Sequence, residues 1–478
     1  MRLFARTDYP ASIVSITDPV GSRLFAGLGY ARLPARAIDE DPPPVVARPV
    51  VTGDRLRLHV GDGVGRVDCD VMVSPTLETR GAAVPMRVYP PGGLLGVMSR
   101  GLLDDVVPAI ASLTSMGATT LVNLGPVRRG VARAGSLSEY IRSHGPFRGA
   151  LVDPDYMRDS VQVAATALSL AASGCPVVTR KALRRAWFYG SGLSALVRGP
   201  GPDPADDLAW LALAAHQKTI AWTDHVAELI WVLDNDRVRG MVAASPMPTT
   251  SILLATARPG FLPRALKAIA RQERVHAEVL IGVHGGTREQ VDEAEVLLRE
   301  AGLSGLVINP PREAPLGVVL NLLGARSSGS VLVKWDDDDL YGPLHLRDLI
   351  AALRHSGSDI VGKAPEFTYF EQDDTTVLRN PHNAESESHV LAGGTLLMDR
   401  RAWERLGGFP PIPRAVDHYL KQAVLMEGMS CYRTHGFGFA LVRHGHGHGH
   451  TWSLDERSYR STAVRSWQGI PAVARLEA

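Results

Sequence analysis

The chain has 478 residues, 45% of them hydrophobic and 21% charged, with a formal net charge of +1. That length suggests two or three domains with ample core. The balanced charge excludes a global field that would draw the chain to nucleic acid or anionic lipid. Three widely spaced cysteines, Cys69, Cys175 and Cys431, form neither a disulfide framework nor a paired-cysteine metal site, which points to a reducing compartment.

The opening residues, Met1 to Asp8, lack the apolar core of a signal peptide. No apolar run reaches the roughly 18 residues of a membrane span. The chain therefore reads as cytoplasmic, with peripheral membrane contact through a partner left open. Pro42-Pro43-Pro44 marks a loop, and strands are expected over 55–60 and 71–74. Gly61 to Arg66 faintly suggests a phosphate loop, but the spacing is incomplete and no clear helix follows, so a hairpin turn is the better reading. A helical run over 161–172 ends in Gly174-Cys175-Pro176, a turn into a strand at Val177. Gly199 to Pro204 is a loop, and an alanine-rich helix follows over 205–215.

Ala243 to Thr250 is rich in Pro, Ser and Thr and marks the main boundary. It divides an N-terminal α/β domain, 1–245, from a second domain, 246–456, with a C-terminal tail over 457–478. Strand and helix then alternate. Strands are expected over 251–255, 279–283, 306–308 and 331–335, and helices over 259–271, 288–301 and 318–327. Pro343 opens a further helix that runs to Ser356 before Gly357. This alternation predicts a doubly wound parallel sheet of α/β class.

Four consecutive aspartates, Asp336 to Asp339, follow the apolar run Val331 to Trp335. Such carboxylates repel one another, and burying them unpaired costs several kcal/mol, roughly. They belong in water or on a cation, at the carboxyl end of a strand, where open α/β sheets place ligands. A calcium loop of EF-hand type fails, because Leu340, Tyr341 and Arg347 stand where a ligand, a glycine and an acid are required. An aspartyl phosphatase motif also fits poorly at Asp339-Leu340.

Trp335-Asp336-Asp337-Asp338-Asp339-Leu340-Tyr341-Gly342-Pro343 resembles the Asp-x-Asp-Asp motif of family 2 glycosyltransferases of GT-A fold. The resemblance runs from Thr250 to Trp452 through several blocks in order: Thr250 to Pro259, Glu278 to Thr287, Gly317 to Gly329, Ala392 to Met398, Leu406 to Phe409 and Val416 to Leu420. It implies a GT-A, Rossmann-like catalytic domain. It implies donor contacts at Thr256, Arg258, Val283, His284, Asn321, Asp336 and Asp337. It also implies Mn²⁺ or Mg²⁺ on Asp336 and Asp338, completed by a late histidine, His444 or His450, and a base at Asp417. The donor would be a UDP- or GDP-sugar and the acceptor a carbohydrate or glycoconjugate hydroxyl, as in cell-envelope polysaccharide synthesis. Two departures stand out. Val283-His284 replaces the family's acidic pair at the base contact, and Val416 replaces the Glu before the catalytic Asp. Ala165 to Thr179 more faintly resembles the donor-side helix and strand of GT-B glycosyltransferases of the spore-maturation type. The basic residue and Glu of an active GT-B site are not evident, so the first half reads as a degenerate GT-B-like or accessory Rossmann-like domain.

Plain structural readings stand beside these. The aspartates can be a solvated turn, Asp417 a helix-start carboxylate, Lys334 an ion-paired lysine beside the acids, and His284 a loop residue. The alternating Gly and His over 443–450 can be a loop in which one or two imidazoles matter. Alternatives to transfer are a catalytically inactive nucleotide-sugar-binding scaffold and a sugar-phosphate nucleotidyltransferase.

Overall fold

The apolar runs of the second half become the centre of an eight-stranded sheet. Its order is Ser304–Ile308, Ala277–Val283, Thr250–Thr256, Val331–Trp335, Leu397–Asp399, Ile360–Lys363, Cys431–Thr434 and Ser386–Glu387. In this computed structural model the described residues are 247–379, 384–444 and 456–476. They also include 201–225, shorter pieces between 118 and 199, and the backbones of six strands between Arg2 and Tyr89. Two units are resolved, Met1–Pro246 with Arg354–Gly357 and Met247–Leu353 with Ser358–Ala478.

In the second unit the first four strands of the order pair in parallel, as the strand–helix alternation predicts. Val331–Trp335 is buried at every position, which is why it reads as an unbroken apolar run. The helix Leu262–Ala270 buries Leu262, Ala265, Leu266 and Ile269, a stripe at helical spacing. Thr287 and Gln290 form a reciprocal capping box that starts the helix Arg288–Glu300. The pairing turns antiparallel between Val331–Trp335 and Leu397–Asp399, so the sheet is mixed, not wholly parallel as expected. After Trp335 the chain returns to this sheet through the helix His345–Ser356 at Ile360–Lys363, and Leu397–Asp399 then enters antiparallel between those two strands.

Before that return the chain leaves for a second sheet, ordered Leu340–Tyr341, Phe439–Arg443, Phe367–Phe370, Thr375–Arg379 and Ala463–Gln468. The four aspartates are the crossing between the two sheets. Trp335 and Tyr341, the residues flanking this turn, stack with ring centroids 3.9 Å apart. The last strand of the second sheet comes from the stretch expected as a tail, 457–478: Ala463–Gln468 pairs with Thr375–Arg379. Further on, Ala474 O accepts from Gly438 N at 2.6 Å. That strand is mostly exposed, so it lacks the hydrophobic alternation that would have announced it.

In the first unit, Leu121–Asn123, Gly149–Leu151 and Val177–Val178 form a parallel sheet. The helix Asp207–Asp224 extends well past the expected end at 215, and its Gln217 exchanges hydrogen bonds of 2.8 and 2.7 Å with the Val177 backbone. A six-stranded, mainly antiparallel sheet spans Arg2 to Tyr89. Arg55–Val60 and Arg66–Val73 pair antiparallel within it, with His59 opposite Arg66, the pairing that a hairpin reading of the glycine-rich stretch requires.

Candidate functional site

Strand register places the first set of candidates at one edge of the sheet. Thr256 lies opposite Val283, and Leu254 lies opposite Trp335. His284 N donates to Thr256 O at 2.8 Å. Thr256, Val283, His284 and the acid turn therefore share the carboxyl ends of three adjacent parallel strands, the ligand edge of an open α/β sheet.

The four carboxylates then separate into distinct roles. Asp337 turns inward and is 5% exposed. It accepts from Thr256 Oγ1 at 2.5 Å and from Arg258 Nη2 at 2.8 Å. Burial pushes its pKa up to about 6, Asp338 adds to the rise, and Thr256 and Arg258 oppose it. The Asp337 carboxylate, expected at the donor, fastens the first loop to the acid turn through Thr256 and Arg258. Asp338 accepts from Arg258 at 2.5 Å, while its main-chain oxygen accepts from Arg264. Asp336 pairs with the buried ammonium of Lys334. Asp339, to which the sequence reading gave no role, accepts from Val442 N at 3.0 Å. Burial first, then Asp338 and Asp336, raise its pKa well above the usual carboxylate range.

Two glycines join this turn to Asp417. A Cβ at Gly394 would meet Tyr341 Oη at 2.8 Å, Asp336 Oδ2 at 2.9 Å and Asp339 Oδ2 at 3.0 Å, and one at Gly393 would meet Asp417 Oδ2 at 2.7 Å. Consecutive Cα atoms lie about 3.8 Å apart, so Asp417 and the acid turn face the same bare stretch of backbone. Tyr341 Oη fixes the stretch by donating to Gly394 O at 3.0 Å and accepting from Asp336 N at 3.0 Å. Asp417 opens the helix Val416–Met426 behind Ala415, a non-glycine residue at φ +57°. Such a conformation costs of order 1–3 kcal/mol and clusters at functional sites.

Two lysines complete the constellation. Burial pulls Lys334 down, but Asp336, Asp417 and Asp339 outweigh it and raise its pKa, so the group stays charged. Lys421, one turn along the helix from Asp417, donates to Leu391 O at 3.0 Å. Burial lowers its pKa against the pull of Asp417, and Lys334 lowers it further. Lys421 was missed in the sequence, where only its four-residue spacing from Asp417 pointed to it.

The remaining candidates divide. Arg258 lies over the Phe261 ring at 4.7 Å, and Phe261 in turn packs on His444 at 5.1 Å. His444 is therefore on the Arg258 side of the acid turn, with its Nδ1 held 2.7 Å from Glu371. His450 lies outside the described residues. The Asn321 side chain donates to Phe409 O at 2.8 Å and accepts from Phe409 N at 2.7 Å, so both of its ends engage the backbone after Gly408.

Hard carboxylate oxygens are the donor set that Mg²⁺ and Mn²⁺ take. Burial, then the neighbouring Asp338 and Asp336, lift Asp339, and the convergence of Asp336 and Asp339 on Gly394 makes the turn a place where added positive charge is favourable. Among the described residues no three His, Cys, Asp or Glu side chains are grouped as a ligand set. One or two carboxylates suffice when phosphate oxygens and water fill the other positions, so the residues fit such an ion as a substrate-completed site.

The sequence matches no family model and no curated protein. Among solved structures, S. aureus TarS 1–349 in complex with UDP-GlcNAc aligns at 12% identity and TM-score 0.36, covering 45% of this chain and 64% of that one. The mannosyltransferase PcManGT from Pyrobaculum calidifontis, in complex with GDP-Man and Mn²⁺, aligns at 16% identity and TM-score 0.34, covering 50% of this chain and 69% of that one. At those scores the likeness adds nothing to what the residues carry. Among the described residues no helix is long and apolar enough to cross a membrane.

Proposed function

We propose that the unit beginning at Met247 is an inverting, metal-dependent glycosyltransferase of family 2 type. It would move a hexosyl group from a UDP- or GDP-sugar to a hydroxyl of a carbohydrate or glycoconjugate. The observation that carries this reading is the Gly393-Gly394 pair, with the Asp417 carboxylate against one glycine and those of Asp336 and Asp339 against the next. An acceptor hydroxyl beside Asp417 and a diphosphate beside the acid turn are then on opposite sides of a sugar lying over the glycines.

Asp417 takes the hydroxyl proton while the oxygen attacks the anomeric carbon, and the nucleoside diphosphate leaves from the other face. Thr256, Val283 and His284, at the neighbouring strand ends, border the nucleotide. Asp336 and Asp338 hold the divalent ion, with His444 or His450 as a further ligand by resemblance. When bound, the ion neutralises charge on the departing diphosphate. Most of the acceleration then comes from positioning and electrostatics.

The test is a donor panel with Mn²⁺, read as released UDP or GDP with and without sugar acceptors. Released nucleotide with one donor, and inverted configuration in the product, are the expected result. An inactive scaffold would release none with any donor. Asp417→Asn is expected to lower kcat by about 10²–10⁴-fold with donor affinity kept, and full activity in that variant would reject Asp417 as the base.

A further inference from the structure

Beside Arg258 on Asp337 and Asp338, the acid turn holds a cation, Lys334, on the carboxylate of Asp336. Lys334 is 6% exposed and its ammonium reaches Asp336 Oδ1, one of the two carboxylates assigned to the divalent ion. It is also drawn to Asp417 and Asp339. The lysine is the next-to-last residue of the buried strand Val331–Trp335, so its backbone is anchored.

We propose that Lys334 and the divalent ion are alternative partners of Asp336, so that the lysine sets how weakly the ion binds before the donor arrives. The inference rests on the reading of Asp336 as a ligand to that ion. Two like charges on one carboxylate repel strongly in a partly desolvated site. Entry of the ion must displace the ammonium from Asp336 or suffer its field at short range. Asp417, also within the field of Lys334, offers the displaced ammonium a second carboxylate. A diphosphate adds negative charge beside the turn and relieves the conflict. Ion and donor would then bind cooperatively, and the empty protein would hold little metal. The lysine also keeps the acids from repelling one another apart when no ion is present.

The variants are Lys334→Met, which keeps the stem length and removes the charge, and Lys334→Arg, which keeps the charge. Mn²⁺ binding to each full-length protein is followed by electron paramagnetic resonance of the free ion, without nucleotide and with UDP or GDP. The expected result is that Lys334→Met binds Mn²⁺ alone at least about tenfold more tightly. Its gain from added nucleotide should shrink, and Lys334→Arg should stay near the parent. The methionine variant should also show a lower Tm in EDTA that Mn²⁺ restores. Equal or weaker Mn²⁺ binding by Lys334→Met, beside measurable binding by the parent, overturns the inference and leaves the transferase reading standing. Absence of Mn²⁺ binding in every protein, with and without nucleotide, overturns both the inference and the ion's place in the proposed function. A methionine variant that does not fold even with Mn²⁺ overturns the inference too, since the ion then fails to replace the ammonium.

Discussion

Single side chains carry the chemistry, and one of the sharpest expectations concerns an atom the chain leaves out. A methyl group at Gly394 would press on Asp336, Asp339 and Tyr341 at 2.8–3.0 Å. A displacement of about 1 Å at a reacting centre costs on the order of 10²-fold in rate. Gly394→Ala is thus expected to lose about that much kcat while circular dichroism shows the fold retained. An unchanged kcat would detach the glycine pair from the site. A second expectation concerns Glu366, which is 4% exposed and accepts from Gly436 N at 2.8 Å. Burial pushes its pKa up to about 8 against opposition from Gly436, Arg433 and Lys363. Between its unfolded value, 4.5, and about 8 the folded protein holds a proton that the unfolded chain releases. Stability therefore falls as pH rises through that window, by up to about 1.4 kcal/mol per pH unit. Glu366→Gln should flatten that part of a Tm-against-pH curve and be the more stable protein above pH 8, roughly. Curves that stay parallel would show that this carboxyl is not the source.

Among elements, a buried ion pair ties the helix that follows the acid turn to the central sheet. Asp348 on the helix His345–Ser356 and Lys363 on the strand Ile360–Lys363 form an ion pair at 2.6 Å with no solvent exposure at either side chain. Burial pushes the Asp348 carboxyl up, but Lys363 and Arg475 outweigh it and hold it below the usual range. His435, 3.8 Å from Asp348, stays neutral, because burial lowers its pKa to about 3 despite that neighbour. Removing one partner of a buried pair strands the other charge. Lys363→Met should accordingly cost about 3–5 kcal/mol in urea unfolding, while Asp348→Asn with Lys363→Met should recover part of it. Additive losses in that double variant would show the two residues to be uncoupled. The segment after Gly469 matters at the same scale. Arg475 Nη2 lies 3.5 Å from Asp348 Oδ1, and Ala474 O accepts the Gly438 N–H. A chain ending at Gly469 loses both contacts and should melt several degrees lower, an expectation drawn from roughly 1–3 kcal/mol per stranded buried group. An unaltered Tm would make that segment dispensable.

For the whole molecule, how much could be read in the residue order varied by region. The four parallel strands and their helices were legible because burial on both faces demands unbroken apolar runs, and helices demand stripes at 3.6-residue spacing. The acid turn was legible because adjacent carboxylates are costly anywhere except water or a cation. The second sheet was not, since its strands are short, pair with residues distant in sequence and end in the half-exposed Ala463–Gln468. In the six-stranded sheet over Arg2 to Tyr89, Arg55–Val60 was legible from its alternation and the strand expected over 71–74 falls largely within Arg66–Val73, while the other strands were not read. Asp336 to Asp339 looked equivalent in sequence, and only packing gave them different partners: Lys334, Thr256 with Arg258, Arg258 alone, and Val442. By itself the sequence determined the class of the central sheet and the presence of an acid cluster at its ligand edge, because local pattern and local charge suffice for both. Only the tertiary structure decided which carboxylate faces which cation, that Asn321 serves Phe409, and that Asp417 meets the acid turn across two glycines. Those facts depend on contacts between residues far apart in the chain, which no periodicity encodes.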